Sequence, residues 1–481
     1  MKKSKIPENM RESYLPTPMQ VTGAFFIVLF AAMSIYLCRY AYNNRQEMMS
    51  NSYNSRQKIL SEQTVRGSII SSDGEILAVT KSDESGGQKR LYPFGNVCSH
   101  VVGYASKGRS GVESLANYWL IRSDISLKEK AGFTDAGQKF PGNDVRITID
   151  MGLQETAYKA LAAYRGAVVV TDVQTGAILA MVSKPDFDPN EIDSIWKDLV
   201  EDKDDSRLLN RAANGLYPPG STLKIVTALE YIREHPGDYG QYSFNCTGSF
   251  RSGDEVIHCF HGTSHGHLDF YTSFQKSCNS SFANIGLGLD RKSYEKTLSD
   301  LMFNVDPGLP FKTAKSQASM DAGTSDGDLM QLAIGQGATV MTPIHLNMIT
   351  GAVASGGMMK KPYLIGSVTD ANGKVLEEGG PVGEPVRVMS EDEAAVLTEM
   401  MRLVVNGGTG RILSGTEYDA AGKTGSAEYD SGHKEESHAW FTGFAPAGDP
   451  QIAVTVVIEE AGSGGEYAVP VAKRVFDKYF E

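Results

Sequence analysis

The run Tyr217-Pro218-Pro219-Gly220-Ser221-Thr222-Leu223-Lys224, continued by Ile225 to Ile232, pairs a nucleophile with a base. Pro-Pro-Gly breaks the chain, and the apolar spacing beyond it predicts a helix that starts at Ser221. A separation of three places Ser221 and Lys224 on one helical face. A serine hydroxyl attacks poorly until a base takes its proton, and a desolvated, neutral lysine amine can do so. The helix N-terminus adds a partial positive field at the carbonyl under attack. Alone the pattern says little, because Ser55/Lys58, Ser194/Lys197, Ser273/Lys276, Ser293/Lys296 and Ser431/Lys434 repeat it.

Two further groups single out Ser221. Lys423-Thr424-Gly425, followed by Ser426-Ala427, is the one K-[ST]-G in the chain. A sheet-edge strand with Lys and Thr offers a cation and a hydroxyl to a carboxylate, and Gly lets a substrate backbone lie close. Between the two lies Ser277-Cys278-Asn279, a hydroxyl that can relay a proton and an amide that can hold a carbonyl. Blander roles exist for each: Ser277 and Asn279 suit a helix cap, and Lys423 an exposed strand. His438 and Trp440 lie near the K-T-G strand, and a Ser-His-Asp triad is the rival mechanism. Lys224 already fills the role of base, so both are expected to be packing residues.

The elements that must position these groups fall in two sets. Val145 to Asp150 opens the set around the nucleophile, and a helix from Met151 to Tyr164 follows. Two apolar strands then flank a turn at Val173 to Gly176, and HAWFTGFAPAGDPQIAVTVVIEE reads as a second pair around Gly448-Asp449-Pro450. A last helix is expected from about Val469 to Tyr479. Ser221 to about Asn406 is mostly helical in pattern and loop-rich. Strands at both ends imply one sheet built from the two termini of the domain, with a helical lobe inserted. Upstream, Arg66 to Thr80 alternates around Asp73-Gly74 as a hairpin, in a small mixed module without a catalytic cluster.

The 481 residues are 41% apolar and 22% charged, enough for a large core. Net charge is −12 with no basic stripe, which argues against a nucleic-acid partner. No formal charge occurs from Ser13 to Cys38, and Val21 to Cys38 is apolar enough for a helix crossing the ~30 Å hydrocarbon core. No small-x-small cleavage site follows it, so an uncleaved anchor is expected over a signal peptide, and Leu37 argues against a lipoprotein signal. Basic residues flank it on both sides, so orientation is weakly marked. Of five cysteines, Cys246 and Cys259 share a Gly/Ser-rich loop with His258, His261, His265 and His267. The spacing fits no zinc finger or ribbon, so free thiols or a disulfide are expected over a metal site, and no metal or cofactor is assigned.

The order S-x-x-K, S-x-N, K-T-G is that of penicillin-binding proteins and class A β-lactamases. With Asp188-Pro189-Asn190, NRAANGLYPPGSTLK, KSCNSSFANIG, Ile334 to Gly337 and HAWFTGFAP, the chain resembles class B penicillin-binding proteins from Thr148 to Pro446. RGSI at Arg66 and GVESL at Gly111 resemble that family's N-terminal segment, and the short pedestal its compact subgroup. The resemblance implies an α+β penicillin-recognising transpeptidase fold, an antiparallel sheet flanked by helices with a helical lobe. The implied division is a cytoplasmic tail (1–19), a transmembrane helix (20–38), a pedestal (39–145) and a transpeptidase domain (146–481) on the outer side of the membrane.

It also implies roles. Ser221 attacks the carbonyl between two terminal D-alanines, Lys224 takes its proton, Ser277 passes a proton to the leaving D-alanine, and Lys423 supports it. Asn279 holds the donor stem; Thr424, Gly425 and Ser426 receive its carboxylate end, and the N–H groups of Ser221 and Ser426 form an oxyanion hole. The implied partners are peptidoglycan stem peptides, β-lactams and a membrane glycan polymerase. A β-lactamase or carboxypeptidase, and a non-catalytic sensor or scaffold, are the alternatives. The first would need a carboxylate that activates water, which the sequence does not single out.

Overall fold

The computed structural model describes residues 17–43, 55–82, 87–202, 204–321, 323–428 and 437–481. The expected tail up to residue 16, and residues 44–54 of the polar stretch after the anchor, lie outside them. The chain divides into two units, 1–59 and 60–481. The first holds a helix, Pro18–Asn43, of 26 residues, or about 39 Å at 1.5 Å per residue. It carries no acidic or basic residue in its end turns, and among the described residues it alone is long and apolar enough to cross a membrane.

In the second unit the hairpin around Asp73-Gly74 forms as its alternation demands, Ile69–Ile70 pairing with Ile76–Ser82. These strands join a six-stranded sheet in the order Val375–Glu378, Ile365–Thr369, Asp144–Ile147, Ile69–Ile70, Ile76–Ser82, Gln88–Leu91. The first two come from the stretch expected to be mostly helical. Their signal was an Asn372-Gly373 turn, which favours a tight hairpin, but Gly366, Gly379 and Gly380 blur the alternation around it. Four further short strands lie between Ser243 and Asp269 in the same stretch.

Arg66 of RGSI and Glu113 of GVESL meet here. Arg66 Nη2 and Arg90 Nε lie 2.5 and 2.7 Å from the two carboxylate oxygens of Glu113, whose side chain has no exposed surface. Arg90 Nη1 also donates to Gly67 O at 2.7 Å, which ties the triad to the segment that leads into Ile69–Ile70.

The catalytic sheet has five strands: β1 (Gly166–Asp172), β2 (Ile178–Lys184), β3 (Ala421–Glu428), β4 (Ser437–Ala445) and β5 (Ile452–Ile458). Their order is β3-β4-β5-β1-β2, antiparallel throughout. Pairing of Gly166 with Ile458 joins the two ends of the domain in one sheet, as the strand pattern implied. The helices that surround it are α1 (Met151–Leu161), α2 (Lys224–Glu234), α3 (Asn279–Gly288), α4 (Pro343–Ala354), α5 (Glu391–Gly407) and α6 (Gly464–Phe480).

Because side chains alternate along a strand, each strand feeds two cores. Val168, Val170, Phe441 and Val456 pack on Leu153 and Ala157 of α1 and Val469 and Val475 of α6. Val169, Trp440, Phe444 and Val457 turn the other way, toward Ile344 and Ile349 of α4. Both faces are covered, which is why β4 and β5 are buried at every position.

Helix α6 begins five residues before the expected start. Gly464 and Pro470 argue against a helix there, but a Cβ on Gly464 would fall 2.2 Å from Trp440 O and 2.4 Å from Gly425 O. Close packing of the first turn on β3 and β4, not helix propensity, places that glycine.

Candidate active site

A 3-10 turn, Gly220–Leu223, leads into α2, so Ser221 stands at the entrance of the helix and Lys224 in its first position. Gly220 has φ +53°, a conformation L side chains rarely adopt, and a Cβ there would meet Ala427 Cβ at 2.9 Å. Its N–H donates to Gly335 O at 2.8 Å. Gly335, in Ile334-Gly335-Gln336-Gly337, has φ +76° and lies too close to Gly220 O for any side chain. The nucleophile turn is thus held between β3 and this glycine loop.

Trp440 Nε1 donates to Pro218 O at 3.0 Å, and Tyr217 Oη to Glu459 Oε1 at 2.7 Å. Glu459 in turn pairs with Arg211 at 2.7 Å and Arg165 at 3.1 Å. These residues brace Tyr217-Pro218-Pro219-Gly220. Glu459 and Arg211 were not foreseen: they lie 248 positions apart and have no pattern in common.

Lys224 is fully buried, yet all its polar partners are present. Its Nζ donates to Ser221 Oγ at 3.1 Å, Ser277 O at 2.8 Å and Asn279 Oδ1 at 2.8 Å, with Ser277 Oγ at 3.4 Å. Lys423, also fully buried, donates to Ser277 Oγ at 2.8 Å. Both Nζ atoms face aromatic rings, Lys224 5.4 Å from the Phe282 centroid and Lys423 5.5 Å from that of Phe274. Ser277 is held at φ +54°. The Asn279 amide splits its contacts, Oδ1 to Lys224 and Nδ2 to His258 O at 3.1 Å. The cap of α3 is Cys278, whose sulfur accepts from Ser281 N–H. That frees Ser277 and Asn279 from the capping role open to them in sequence.

β3 is an edge of the sheet, so its outer side has backbone groups free of a strand partner. Lys423 and Gly425 share one face of it, Thr424 and Ser426 the other. Thr424 Oγ1 hydrogen-bonds Thr409 Oγ1, and Ser426 Oγ accepts from Gly464 N at 3.3 Å. A Cβ on Gly425 would lie 3.0 Å from Pro219 O and 3.1 Å from Thr222 Cγ2. Its missing side chain therefore serves contact with the nucleophile turn, a different reason from closeness to a substrate backbone.

His438 packs its ring on Tyr217, 5.4 Å between centroids, and its Nδ1 accepts from Glu460 N–H at 3.2 Å. Neither contact reaches Ser221.

Burial pulls Lys224 down to about 7, with Cys278 and Cys259 acting weakly in the opposite sense. Burial and then the charge of Lys224 hold Lys423 well below the usual lysine range. Near neutral pH a substantial share of Lys224 is then the neutral amine, within reach of Ser221 Oγ. With Lys224 as the expected base, acylation at Ser221 should rise as pH increases toward about 7 and level off above it, because a base acts in its neutral form. Stopped-flow acylation between pH 5 and 10 reads this out; a rate still climbing at pH 9 would mean an ordinary lysine.

A hydroxyl beside a buried lysine, a second hydroxyl between two lysines and an open sheet edge together suit a serine acyl-transfer enzyme. Residues 166–477 match the family model described as penicillin binding protein transpeptidase domain, and 66–145 the penicillin binding protein A dimerisation domain. The peptidoglycan D,D-transpeptidase MrdA of Acinetobacter baumannii is 30% identical over 81% of this chain, which spans 65% of that relative's length. PbpA of Mycolicibacterium smegmatis, also a peptidoglycan D,D-transpeptidase, is 30% identical over 87% of this chain and 90% of its own. Among solved structures, penicillin-binding protein A from M. tuberculosis, as a ceftriaxone acyl-enzyme complex, aligns with TM-score 0.80 at 26% identity. That alignment covers 88% of this chain and 100% of the other. A D,D-transpeptidase domain from Eggerthella lenta gives 0.78 at 30%, covering 87% and 98%. The chain belongs to the class B penicillin-binding proteins, the serine-type D,D-transpeptidases of peptidoglycan synthesis.

Proposed function

We propose that the chain cross-links peptidoglycan stems through a Ser221 acyl-enzyme. The observation that carries this reading is the buried Lys224 amine, 3.1 Å from Ser221 Oγ and joined through Ser277 Oγ to Lys423. Lys224 takes the hydroxyl proton as Ser221 Oγ bonds to the carbonyl carbon between the terminal D-alanines. The N–H groups of Ser221 and Ser426 receive the oxyanion. Ser277, fed by Lys224 and supported by Lys423, delivers a proton to the amide nitrogen as the C–N bond breaks and D-alanine leaves. An amine from a second stem then attacks the ester carbonyl and loses its proton to Lys224, which passes it to Ser221 Oγ as the ester C–O bond breaks and the new amide forms.

Asn279 positions the donor stem, and Thr424, Gly425 and Ser426 bind its carboxylate end along the edge of β3. β-Lactams follow the first half and stay as esters. Among the described residues no carboxylate is hydrogen-bonded to Ser221, Lys224, Ser277 or Lys423, which supports slow hydrolysis over a β-lactamase.

The catalytic domain (146–481) and pedestal (39–145) stand on the outer side of the membrane, where the stems are, with residues 1–19 inside. A membrane glycan polymerase contacts the anchor (20–38) and pedestal and makes the strands that this chain links. Absence of such a polymerase from mildly crosslinked, purified membrane complexes would count against that partnership.

The test of the reaction is fluorescent penicillin on the full chain in detergent, with Ser221→Ala beside it. A long-lived label on the wild type and none on Ser221→Ala is expected. Rapid loss of label would make it a hydrolase, and no label would leave a scaffold.

A further inference from the structure

Thr424 and Ser426 share one face of β3, and among the described residues neither side chain is hydrogen-bonded to a cation. Lys423 lies on the other face and gives its Nζ to Ser277 Oγ at 2.8 Å and to the backbone oxygen of Thr424 at 3.0 Å. A carboxylate only accepts hydrogen bonds, and a hydroxyl has a single proton to give. Where no ammonium or guanidinium group offsets the charge, the direction of that proton decides whether the hydroxyl attracts a carboxylate or repels it.

For Ser426 the direction is settled by a backbone donor. Gly464 N–H, in the first turn of α6, donates to Ser426 Oγ at 3.3 Å and leaves the Ser426 proton for a ligand. For Thr424 the corresponding neighbour is Thr409. Their Oγ1 atoms are hydrogen-bonded, and among the described residues each hydroxyl has the other as its partner. Thr424 is buried, at 5% exposure, whereas Thr409 is exposed. Once a carboxylate takes the Thr424 proton, the bond between the two threonines persists only with Thr409 as the donor. The series from Thr409 to Thr424 to carboxylate then puts every proton on a lone pair, and each bond polarises the next.

The backbone holds Thr409 in this place. α5 ends at Gly407, and the N–H groups of Gly408 and Gly410 both donate to Val404 O, at 3.1 and 3.0 Å. A Cβ on Gly408 would fall 2.5 Å from Gln275 O, at the end of the helix Phe270–Gln275 that leads into Ser277. Gln275 Nε2 in turn donates to Leu403 O at 3.2 Å. On the other side, a Cβ on Gly465 of α6 would come within 2.7 Å of Thr409 O. Three elements thus seat the Thr409 hydroxyl beside β3.

We propose that Thr409 is a positioning residue for the donor carboxylate: it donates to Thr424 Oγ1 and so turns the Thr424 proton toward the ligand. The proposal rests on the reading above, that Thr424 binds the carboxylate end of the donor. Thr409 stands 15 positions before Thr424 in a glycine-rich run, outside every motif legible in the sequence.

The test compares benzylpenicillin, which carries the carboxylate, with its methyl ester, which lacks the charge. Both are given to the full chain in detergent, and intact-protein mass spectrometry reads the rate of acylation. Thr424→Val should slow the acid about 10–100-fold, the range for one hydrogen bond to a charged group. Thr409→Val should slow the acid about 3–10-fold, as for one neutral hydrogen bond, and the ester less than about twofold. Thr409→Ser, which keeps the donor, should return the acid to within about twofold of wild type. Equal slowing of acid and ester in Thr409→Val would make the threonine structural and overturn the proposal. A loss specific to the acid in Thr424→Val but absent from Thr409→Val would overturn the role of Thr409 alone. No such loss in Thr424→Val would overturn the carboxylate reading, and the proposal with it.

Discussion

Lys224→Ala should slow penicillin acylation about 10²–10⁴-fold, the usual worth of a positioned general base, while His438→Ala should leave it within a few-fold. The contrast follows from placement. Lys224 Nζ touches Ser221 Oγ and the Ser277 turn together, so its removal takes away the proposed proton acceptor and one support of the Ser277 turn. Among the contacts of His438 are the Glu460 N–H and the Tyr217 ring. Rates of labelling by fluorescent penicillin decide it. A normal rate in Lys224→Ala with a dead His438→Ala would move the base to the histidine and revive a triad mechanism. The folded state of Lys224→Ala is checkable by its melting curve, and truncating a buried lysine should not by itself destabilise the domain, since its cost of burial also disappears.

Glu113→Ala should destabilise the pedestal by about 3–5 kcal/mol, the range for breaking one partner out of a buried ion pair. Burial pushes the Glu113 carboxyl up, but Arg66 and Arg90 outweigh it and hold the group below its ordinary range. Without the carboxylate, two guanidinium groups face each other with little water to screen them. Among the described residues, Arg66 would keep Asn117 Oδ1 and Glu113 O, and Arg90 the oxygens of Gly67, Arg66 and Thr80. Proteolysis of the full chain under native conditions should then cut between residues 66 and 145 while penicillin labelling at Ser221 survives. Unchanged proteolysis would mean that the triad positions the strand without stabilising it.

Sequence was most informative where a pattern is local. The strand pairs at Gly166 and Ser437, the helix after Ser221 and the Asp73-Gly74 hairpin each follow from periodicity and turn chemistry within about twenty residues. The convergence of Ser221, Lys224, Ser277 and Lys423 was legible through motif order, although spacing along the chain gives no distance. Less legible was whatever depends on partners far away. Glu459 reads as a residue just past a strand, and only the fold shows it pinning Tyr217 with Arg211. Cys278 reads as the variable middle of a motif, yet it caps α3 and joins two cysteines of another loop. The Ile365–Glu378 hairpin was passed over because it adds to a sheet whose other strands precede residue 150.

The pairing of β5 with β1 has a consequence for biogenesis. Arg165 and Glu459, at the ends of those strands, are 294 positions apart, and closing so long a chain segment comes before any contact that compensates for it. During synthesis the β1-β2 hairpin is made early and waits with an unpaired edge until β3, β4, β5 and α6 are released from the ribosome. The seat of Ser221, which leans on β3 and Trp440, cannot exist before then. A newly made chain is therefore chemically silent until β3, β4 and β5 have been added, and a stop before them leaves Ser221 without its seat and a sticky strand edge for quality-control proteases to find.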